Sequence, residues 1–339
     1  MRKERKDEHI EQYLRTEIHG QTLLDQVVLE PTSFPELNWT DIDLSMEFLG
    51  KTIQMPLVIN AMTGGTEKTR AINRDLSILA EEFGLALQVG SQRIALDEPE
   101  TIRSFSVIRE HFSGAAMGNL GSDASIEDVQ RALDMIDGDG IGIHINPSQE
   151  LVMDEGDREF RGRYANLATL CKAFPGKIIV KEIGFGMSRS DARKLREIPA
   201  AYIDVSGYGG TNFIEIEALR QIRENYSEFY RWGVPTAKSI WNLRREAPNH
   251  RLIASGGLET ATDMIHAMVM GAELCAVSGA ILRYLLMGGL DNARNYLKEL
   301  RRNLTIGMLL LGCRTVEELH KVPYVLRGEL LSRIRQEIN

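Results

Sequence analysis

Eight short apolar runs recur along the chain, each ending in small or polar residues and followed by an amphipathic segment. The runs are rich in Val, Ile, Leu and Ala and nearly continuous, which is typical of parallel strands buried on both faces. Eight strands alternating with helices is the number that closes a parallel α/β barrel, so we predict a (β/α)8 TIM barrel. The runs are PLVINAMTGG (56–65), LALQVGSQR (85–93), GAAMGNLG (114–121), GIGIHINPSQE (140–150), KIIVKEIGFG (177–186), AAYIDVSGYGG (200–210), RLIASGGLET (251–260) and ELCAVSGA (273–280).

Two other architectures are alternatives to the barrel. A chain of 339 residues often holds two domains, but barrels of this type are an exception and no linker divides the sequence. A doubly wound open sheet would carry GxGxxG after its first strand, whereas the first turn here is MTGGTEK. We therefore predict a single domain over residues 1–339, with an N-terminal extension capping the barrel (1–50), the barrel (51–287) and a C-terminal helical tail (288–339).

The segments between the runs have helical spacing, for example 69–84, 125–138, 188–198 and 260–272. Ser125 and Asp128 are typical of a helix start, with a carboxylate near the positive end of the helix. The link 213–250 is longer than the others and has room for an extra loop or helix before the outer helix.

Composition narrows the classes of partner and compartment. The formal charge is −8 and the basic residues are scattered, which argues against a nucleic-acid or membrane-surface role. The first residues carry no apolar segment behind them, and no apolar run approaches the length of a membrane span. Three distant cysteines without a CxxC motif indicate reduced, buried thiols. We therefore expect a cytoplasmic protein.

Side chains at the carboxyl ends of barrel strands converge on one mouth, so the strand ends identify candidate site residues. The predicted mouth residues are Met62, Thr63, Gly64, Ser91, Gln92, Arg93, Asn119, His144, Asn146, Gln149, Glu150, Lys181, Glu182, Ser206, Thr211, Gly256, Gly257, Ser278, Gly279 and Ala280.

The last two strands end in SGGLET and SGA, each leading into a helix. Small residues let backbone N–H groups approach a phosphate, and a helix N-terminus favours its negative charge. The alternative is that these glycines only make tight turns. Two such loops at the usual phosphate site of the fold favour a phosphorylated cofactor.

Lys181 is the second informative residue, because strand alternation places it near the strand end on the same face as Ile179. An isolated buried ammonium is costly, so Lys181 has two possible partners. It faces a bound group such as the electron-rich pyrimidine edge of a flavin, or it forms a salt bridge with a neighbouring strand. The sequence leaves both open.

Strand four ends in a histidine, two amides and a carboxylate. His144 and Asn146 share a face of the strand, and Gln149 and Glu150 follow in the loop above it. A single histidine on a strand is more often structural than catalytic, but this combination favours a site. Glu150 offers one oxygen to Mg²⁺, which usually takes one or two carboxylates and completes its shell with water and phosphate oxygens.

Basic residues near the N-terminus, Arg5, Lys6 and His9, have two interpretations. They form either a solvated charged start or, folded over the mouth, a second anion site together with Arg93. The sequence does not choose between these.

These motifs together resemble type II (FMN-dependent) isopentenyl diphosphate isomerases, in order and over nearly the whole chain. The segments that carry the resemblance are RKDEHI (5–10), MTGG (62–65), GSQR (90–93), GNLG (118–121), HINPSQE (144–150), VKEIGFGMS (180–188), DVSGYGGTNF (204–213) and ASGGLET (254–260). The resemblance implies interconversion of isopentenyl and dimethylallyl diphosphate by reduced FMN acting as acid and base, with Mg²⁺, and with NADPH or NADH only to reduce the flavin. It also implies a homotetramer.

Carried over position by position, the resemblance assigns roles to individual residues. His144, Asn146 and Gln149 are the catalytic residues and Glu150 binds the metal. The substrate diphosphate meets Arg5, Lys6, Ser91, Gln92, Arg93 and Gln149. FMN is bound by Ala61, Met62, Thr63, Ser91, Asn119, Lys181, Ser206, Thr211, Gly256, Gly257, Leu258, Ser278, Gly279 and Ala280.

One departure from the family pattern lies at or near Arg163, where the resemblance leads us to expect tryptophan. The change falls outside the site motifs, so we expect it to affect packing or assembly rather than activity.

Three rival functions remain for comparison. An FMN-dependent 2-hydroxy-acid oxidase would need His and Arg where this chain has Tyr208 and Thr211. A nucleotide dehydrogenase of similar fold would need a nucleophilic Cys in a mouth loop, whereas Cys275 lies inside strand eight. A flavin-binding sensor needs neither HINPSQE nor Arg93, and tight flavin binding without turnover would favour it.

Overall fold

A computed structural model describes residues 2–16, 20–220 and 225–337, although nothing is described of the side chains of residues 2–5 and 7. Within these ranges eight parallel strands form a closed barrel, so the predicted (β/α)8 fold is confirmed. In chain order the strands are β1 (Val27–Leu29), β2 (Met46–Phe48), β3 (Lys51–Ile53), β4 (Leu57–Ile59), β5 (Ala86–Gln88), β6 (Ala116–Gly121), β7 (Gly140–His144), β8 (Ile178–Lys181), β9 (Tyr202–Asp204), β10 (Leu252–Ala254), β11 (Leu274–Val277) and β12 (Tyr324–Leu326).

The barrel consists of β4 to β11, one strand from each predicted run, and β11 closes it by pairing with β4. The helices are α1 (Arg2–Tyr13), α2 (Glu67–Phe83), α3 (Arg93–Asp97), α4 (Arg103–Ser106), α5 (Ile126–Ile136), α6 (Pro147–Glu150), α7 (Arg163–Ala173), α8 (Arg189–Leu195), α9 (Phe213–Arg220), α10 (Thr236–Glu246), α11 (Ala261–Val269), α12 (Gly279–Leu310) and α13 (Gly328–Gln336).

Four of the barrel helices begin at a reciprocal side-chain cap. In α2, α5, α8 and α11 a hydroxyl accepts a bond from the third helical N–H, and the residue at that position bonds back. The predicted start at Ser125 and Asp128 is one of these caps. Each cap fixes where the chain leaves a strand-end loop, so the caps help to set the positions of the mouth loops.

The amino ends of the barrel strands are closed by the hairpin of β2 and β3. Leu49 and Gly50 turn the chain with φ of 50° and 78°, as a two-residue hairpin turn requires. Phe48 and Ile53 are buried against the barrel floor, where the Phe48 ring meets that of Tyr202 edge-on at 4.9 Å. The carboxyl ends of the strands are therefore the open end.

The N-terminal extension reaches both ends of the barrel, since α1 lies at the mouth while the hairpin closes the floor. The tail begins inside α12, which kinks at Gly288 and Gly289. The tail also contains β12, a strand that the predicted helical tail lacked, which pairs antiparallel with β1. No described helix is long and apolar enough to cross a membrane.

Candidate active site

A cavity of about 1030 Å³ opens at the carboxyl ends of the barrel strands, with residues of α1 at its edge. Loops after all eight barrel strands contribute to its walls, so the barrel topology assembles it. Ligand pockets usually measure about 300–1,000 Å³, so there is room for a cofactor and a small substrate together. The predicted site residues that line it are Lys6, Ala61, Met62, Thr63, Ser91, Arg93, Asn119, His144, Asn146, Gln149, Glu150, Lys181, Ser206, Thr211, Gly256, Gly257, Leu258, Ser278, Gly279 and Ala280.

Gln92, predicted to bind substrate, lies beneath the cavity wall and is fully buried. Its amide nitrogen donates to the carbonyl of Ala132 at 2.8 Å, and its amide oxygen accepts from the N–H of Asn119 at 3.0 Å. Both ends of the amide are therefore used within the fold. The structure corrects the prediction: Gln92 holds Asn119 in place instead of facing a ligand. The side chain of Arg5 lies outside the described residues.

One end of the cavity is a cradle of backbone N–H groups. Gly256 and Gly257 have φ of +94° and +81°, and a Cβ on Gly256 would lie 2.0 Å from the carbonyl oxygen of Gly207. The neighbouring helix α12 begins after Ser278, and among the described residues no side chain caps it, unlike α11 beside it. An uncapped helix N-terminus next to a glycine loop fits a phosphate group.

Lys181 forms the predicted salt bridge with a neighbouring strand and also faces the cavity. It lines the cavity, and its Nζ lies 3.7 Å from Oδ2 of Asp204 on the neighbouring strand β9 and donates to the carbonyl of Glu182 at 3.0 Å. Asp204 in turn accepts bonds from Asn60 (2.9 Å) and Ser255. The carboxylate is thus fully bonded at the barrel centre, and it compensates a cation that faces the cavity.

Thr63 gives an independent indication that a ligand belongs in the cavity. Its Oγ1 is buried at the cavity wall, with no hydrogen-bond partner among the described residues. Buried hydroxyls in native proteins nearly always have a partner. The residues present therefore fit a phosphorylated flavin, whose polar ring edge would supply that partner.

His144 is held as a neutral imidazole. Its Nδ1 lies 3.1 Å from Oδ1 of Asn119, with the amide oriented so that oxygen faces the ring. Burial, then the charges of Lys181 and Lys6, lower the pKa of His144 to about 3. At neutral pH the ring therefore carries no charge, and Nδ1 carries the proton that Asn119 accepts.

Glu150 is oriented from two sides. Its Oε1 accepts from the Asn146 amide and its Oε2 from the backbone N–H of Asp157, both at 2.8 Å. A carboxylate with fixed orientation at the cavity wall fits Mg²⁺, because that ion takes few protein ligands and completes its shell with water and phosphate. Among the described residues no cluster of three or more His, Cys, Asp or Glu forms a closed metal cage.

Comparison with known proteins agrees with this geometry. Residues 141–325 match the FMN-dependent dehydrogenase family. An isopentenyl-diphosphate delta-isomerase of Bacillus licheniformis is 39% identical over 331 residues, covering 97% of this chain and 94% of that protein. One from Moorella thermoacetica is 39% identical over 326 residues, covering 96% and 94%. This chain belongs to the FMN-dependent isopentenyl-diphosphate delta-isomerase family.

The fold of this isomerase-family chain is shared with more distant flavoproteins. A mandelate oxidase variant with a monooxide FMN adduct superposes with a TM-score of 0.65 over 91% of this chain and 90% of its own, at 16% identity. That likeness concerns the fold alone. Tyr208 and Thr211 occupy the loop after β9, and Cys275 is buried inside β11, so neither the oxidase motif nor a mouth cysteine is present in these segments.

Glu217 supports the site of this family member from behind the cavity wall, and the sequence did not indicate it. It lies in α9 with its side chain fully buried, accepting from Gln149 at 2.8 Å, from His9 of α1 at 2.9 Å and from Arg220. Burial raises its pKa, but the bond and charge of His9, the bond from Gln149 and the charge of Arg220 outweigh burial and lower it. Nothing in FIEIEALR marks Glu217, because helix packing alone brings it next to Gln149 and His9.

Glu182 explains the KEIGFG motif of this family member without lining the cavity. Its Oε2 accepts from the backbone N–H groups of residues 183–186, at 2.5 to 3.1 Å. Gly184 and Gly186 have positive φ, which lets the loop wrap around the carboxylate. Burial raises the pKa of Glu182 to about 7, although the four N–H donors act to lower it. Glu182 therefore shapes the loop beside Lys181.

Arg163 is the second correction. The sequence placed this departure from the isomerase family outside the site, but the residue lines the cavity. It pairs with Asp157, while Arg93 pairs with Asp123 at 3.4 Å and Asp128 at 3.2 Å. Helix α7 begins at Arg163, directly after the loop above strand β7, so its first side chain reaches the mouth.

Proposed function

We propose that this enzyme interconverts isopentenyl diphosphate and dimethylallyl diphosphate, using FMN, Mg²⁺ and NADPH or NADH. The observation that carries the proposal is one cavity that joins a phosphate cradle and Lys181 to a wall containing His144, Asn146, Gln149 and the oriented carboxylate of Glu150. The reaction adds a proton to the terminal methylene carbon and removes one from the carbon two positions away. Because there is no net oxidation, the nicotinamide serves only to reduce the flavin.

The flavin would be held from both ends. The cradle and the start of α12 would take the phosphate, and Lys181 would face the electron-rich pyrimidine edge. The remaining contacts come from strand-end loops that share the cavity, namely Ala61, Met62, Thr63, Ser91, Asn119, Ser206, Thr211, Gly256, Gly257, Leu258, Ser278, Gly279 and Ala280.

The diphosphate would be held at the opposite wall. Lys6, Ser91, Arg93 and Gln149 all line the cavity, and Arg5 belongs to the same proposed set. Glu150 would ligate Mg²⁺, and the ion would help to neutralise the charge of the diphosphate. Binding energy from the diphosphate then orients the alkene, which has few polar handles of its own.

In the proposed reaction the cofactor exchanges the protons and the protein positions the substrate. When bound, reduced FMN supplies the acid and base that exchange protons with the allylic carbons. A pKa of about 3 makes His144 a poor acid at neutral pH, which supports a positioning role for its neutral ring. Asn146 and Gln149 orient the substrate and the neighbouring carboxylates, Glu150 and Glu217, through their amide donors.

The proposed enzyme is a homotetramer in the cytoplasm. Its partner is a small diphosphate, and it binds neither nucleic acid nor a membrane. The acidic net charge and scattered basic residues support the small-molecule partner. Sedimentation velocity tests the assembly, and a particle of one or two chains would contradict it.

The deciding experiment is an anaerobic assay of purified protein with FMN, NADPH, Mg²⁺ and isopentenyl diphosphate in D₂O, followed by NMR. With reduced flavin and Mg²⁺, we expect dimethylallyl diphosphate that carries deuterium at the allylic carbons. No product should form with oxidised flavin or with EDTA. No conversion with FMN bound and reduced would reject the isomerase and favour a flavin-binding sensor.

A further inference from the structure

Arg163 stands in the cavity wall with unused hydrogen-bonding capacity. Its side chain is only 16% exposed, its Nε donates to the carbonyl of Glu159 at 3.1 Å, and its terminal nitrogens meet Asp157 and, at 3.4 Å, the hydroxyl of Ser122. A guanidinium has five N–H donors, and the contacts with the described part of the chain use three of them. The group is thus fixed in direction while retaining donors.

Asp157 connects Arg163 to the proposed metal ligand. The carboxylate of Asp157 pairs with Arg163, and its backbone N–H donates to Oε2 of Glu150 at 2.8 Å. One residue therefore positions both a cation and the carboxylate proposed for Mg²⁺. A phosphate group bound to that metal is brought to the same rim of the cavity.

The cations of this wall act on a common volume. Arg163 and Arg93, with Lys181 and Lys6, contribute to the field that lowers the pKa of His144. An anion entering between them meets several donors held at different angles. Guanidinium groups suit this task, because their planar fork matches two phosphate oxygens at once.

We propose that Arg163 binds the substrate diphosphate directly, as a second guanidinium beside Arg93. The proposal depends on the proposed function for the diphosphate in this cavity. Asp157 holds the guanidinium in place before substrate arrives, so less side-chain freedom is lost on binding. A tryptophan at this position would offer no such contact, so Arg163 would strengthen discrimination for diphosphate over monophosphate.

The test uses FMN-loaded protein and inorganic diphosphate as the probe, with affinity measured by isothermal titration calorimetry in Mg²⁺ and again in EDTA. We expect Arg163→Gln to weaken binding about ten- to hundredfold in both buffers, as for loss of a bond to a charged group. The affinity of Arg163→Lys should lie between those of the unchanged protein and Arg163→Gln, because lysine keeps the charge and loses the planar pair of donors. The matched control is Arg161→Gln, which replaces an exposed arginine in the same segment. It should change the diphosphate affinity by less than about twofold.

Two results would overturn the proposal. Equal affinities for Arg163→Gln and Arg161→Gln would make Arg163 a packing residue. A loss in Mg²⁺ that disappears in EDTA would mean that Arg163 acts only through Asp157 and Glu150. The flavin absorption spectrum checks that the site remains folded. Arg163-dependent diphosphate binding without isomerisation would support this site while rejecting the proposed reaction.

Discussion

One buried carboxylate is among the groups that hold helix α1 at the mouth, so Glu217→Gln should loosen the helix while leaving the barrel intact. Glu217 accepts from His9 of α1, from Gln149 and from Arg220. Glutamine keeps one acceptor oxygen and turns an amide nitrogen toward a second donor. At least one of the three bonds is then lost, and every remaining bond loses the negative charge of its acceptor.

The magnitude for α1 follows from the His9 bond. A bond to a charged group contributes about 1.5–3 kcal/mol and a neutral one about 0.5–1.5 kcal/mol. Losing it, or replacing it by a repulsive donor pair, weakens docking of α1 by about 2 kcal/mol. Arg220 keeps its ion pair with Glu8 at 2.9 Å, so docking is not abolished. About 2 kcal/mol corresponds to roughly a thirtyfold increase in the undocked population.

Hydrogen exchange followed by mass spectrometry measures this directly. Amides of α1 should exchange about thirtyfold faster in the variant at pH 7, while peptides covering β7 and β8 stay unchanged. Glu215→Gln, a buried change on the same helix, is the matched control and should leave α1 protected. Unchanged exchange in α1, or an equal increase in the barrel strands, would refute the reasoning. Because the pKa of Glu217 lies below 4.5, the difference should persist above pH 4.5 and shrink as pH falls through that folded pKa.

Four further predictions concern the cavity. Gly256→Ala, with φ +94° and a Cβ 2.0 Å from a backbone oxygen, should weaken FMN binding by about tenfold or more in a fluorescence titration. Glu150→Gln should weaken Mg²⁺-dependent substrate binding with flavin affinity nearly unchanged, and equal loss of both would contradict its role. The ring of His144, with its pKa lowered to about 3, should stay neutral in ¹⁵N NMR from pH 8 to 5, and its contribution to stability should be lost as pH falls from 6.5 toward 3. Asp204→Asn should raise the reduction potential of bound FMN in a potentiometric titration, because Lys181 then carries uncompensated charge toward the reduced flavin; an unchanged or lower potential would count against that pairing.

The barrel was predictable because each of its strands is an uninterrupted apolar run, and parallel strands buried on both faces need such runs. Strand ends then identified most of the mouth, since the fold itself brings them together. The cap at Ser125 was predictable for a similar reason, because its hydrogen bonds span only three residues. These features are local in sequence, or follow from topology once the strand count is known.

The features that sequence did not provide depend on direction and on distant packing. A strand-end position does not say which way a side chain turns, so Gln92 was assigned to substrate although its amide bonds to Ala132 and Asn119. Glu217 supports Gln149 from a helix outside the barrel, and its partner His9 comes from α1. The strand β12 exists only because β1 pairs with it from the far end of the chain.

Charge pairing in the cavity connects these observations. A cavity built to receive anions must also fold without them, and isolated buried cations would oppose folding. Lys181, Arg93 and Arg163 each have a carboxylate close by, so the charge of each is compensated and its direction is set before a ligand arrives. An entering phosphate then competes with carboxylates for the cations, and it meets donors that have already lost most of their freedom. The pairs concerned are Lys181 with Asp204, Arg93 with Asp123 and Asp128, and Arg163 with Asp157.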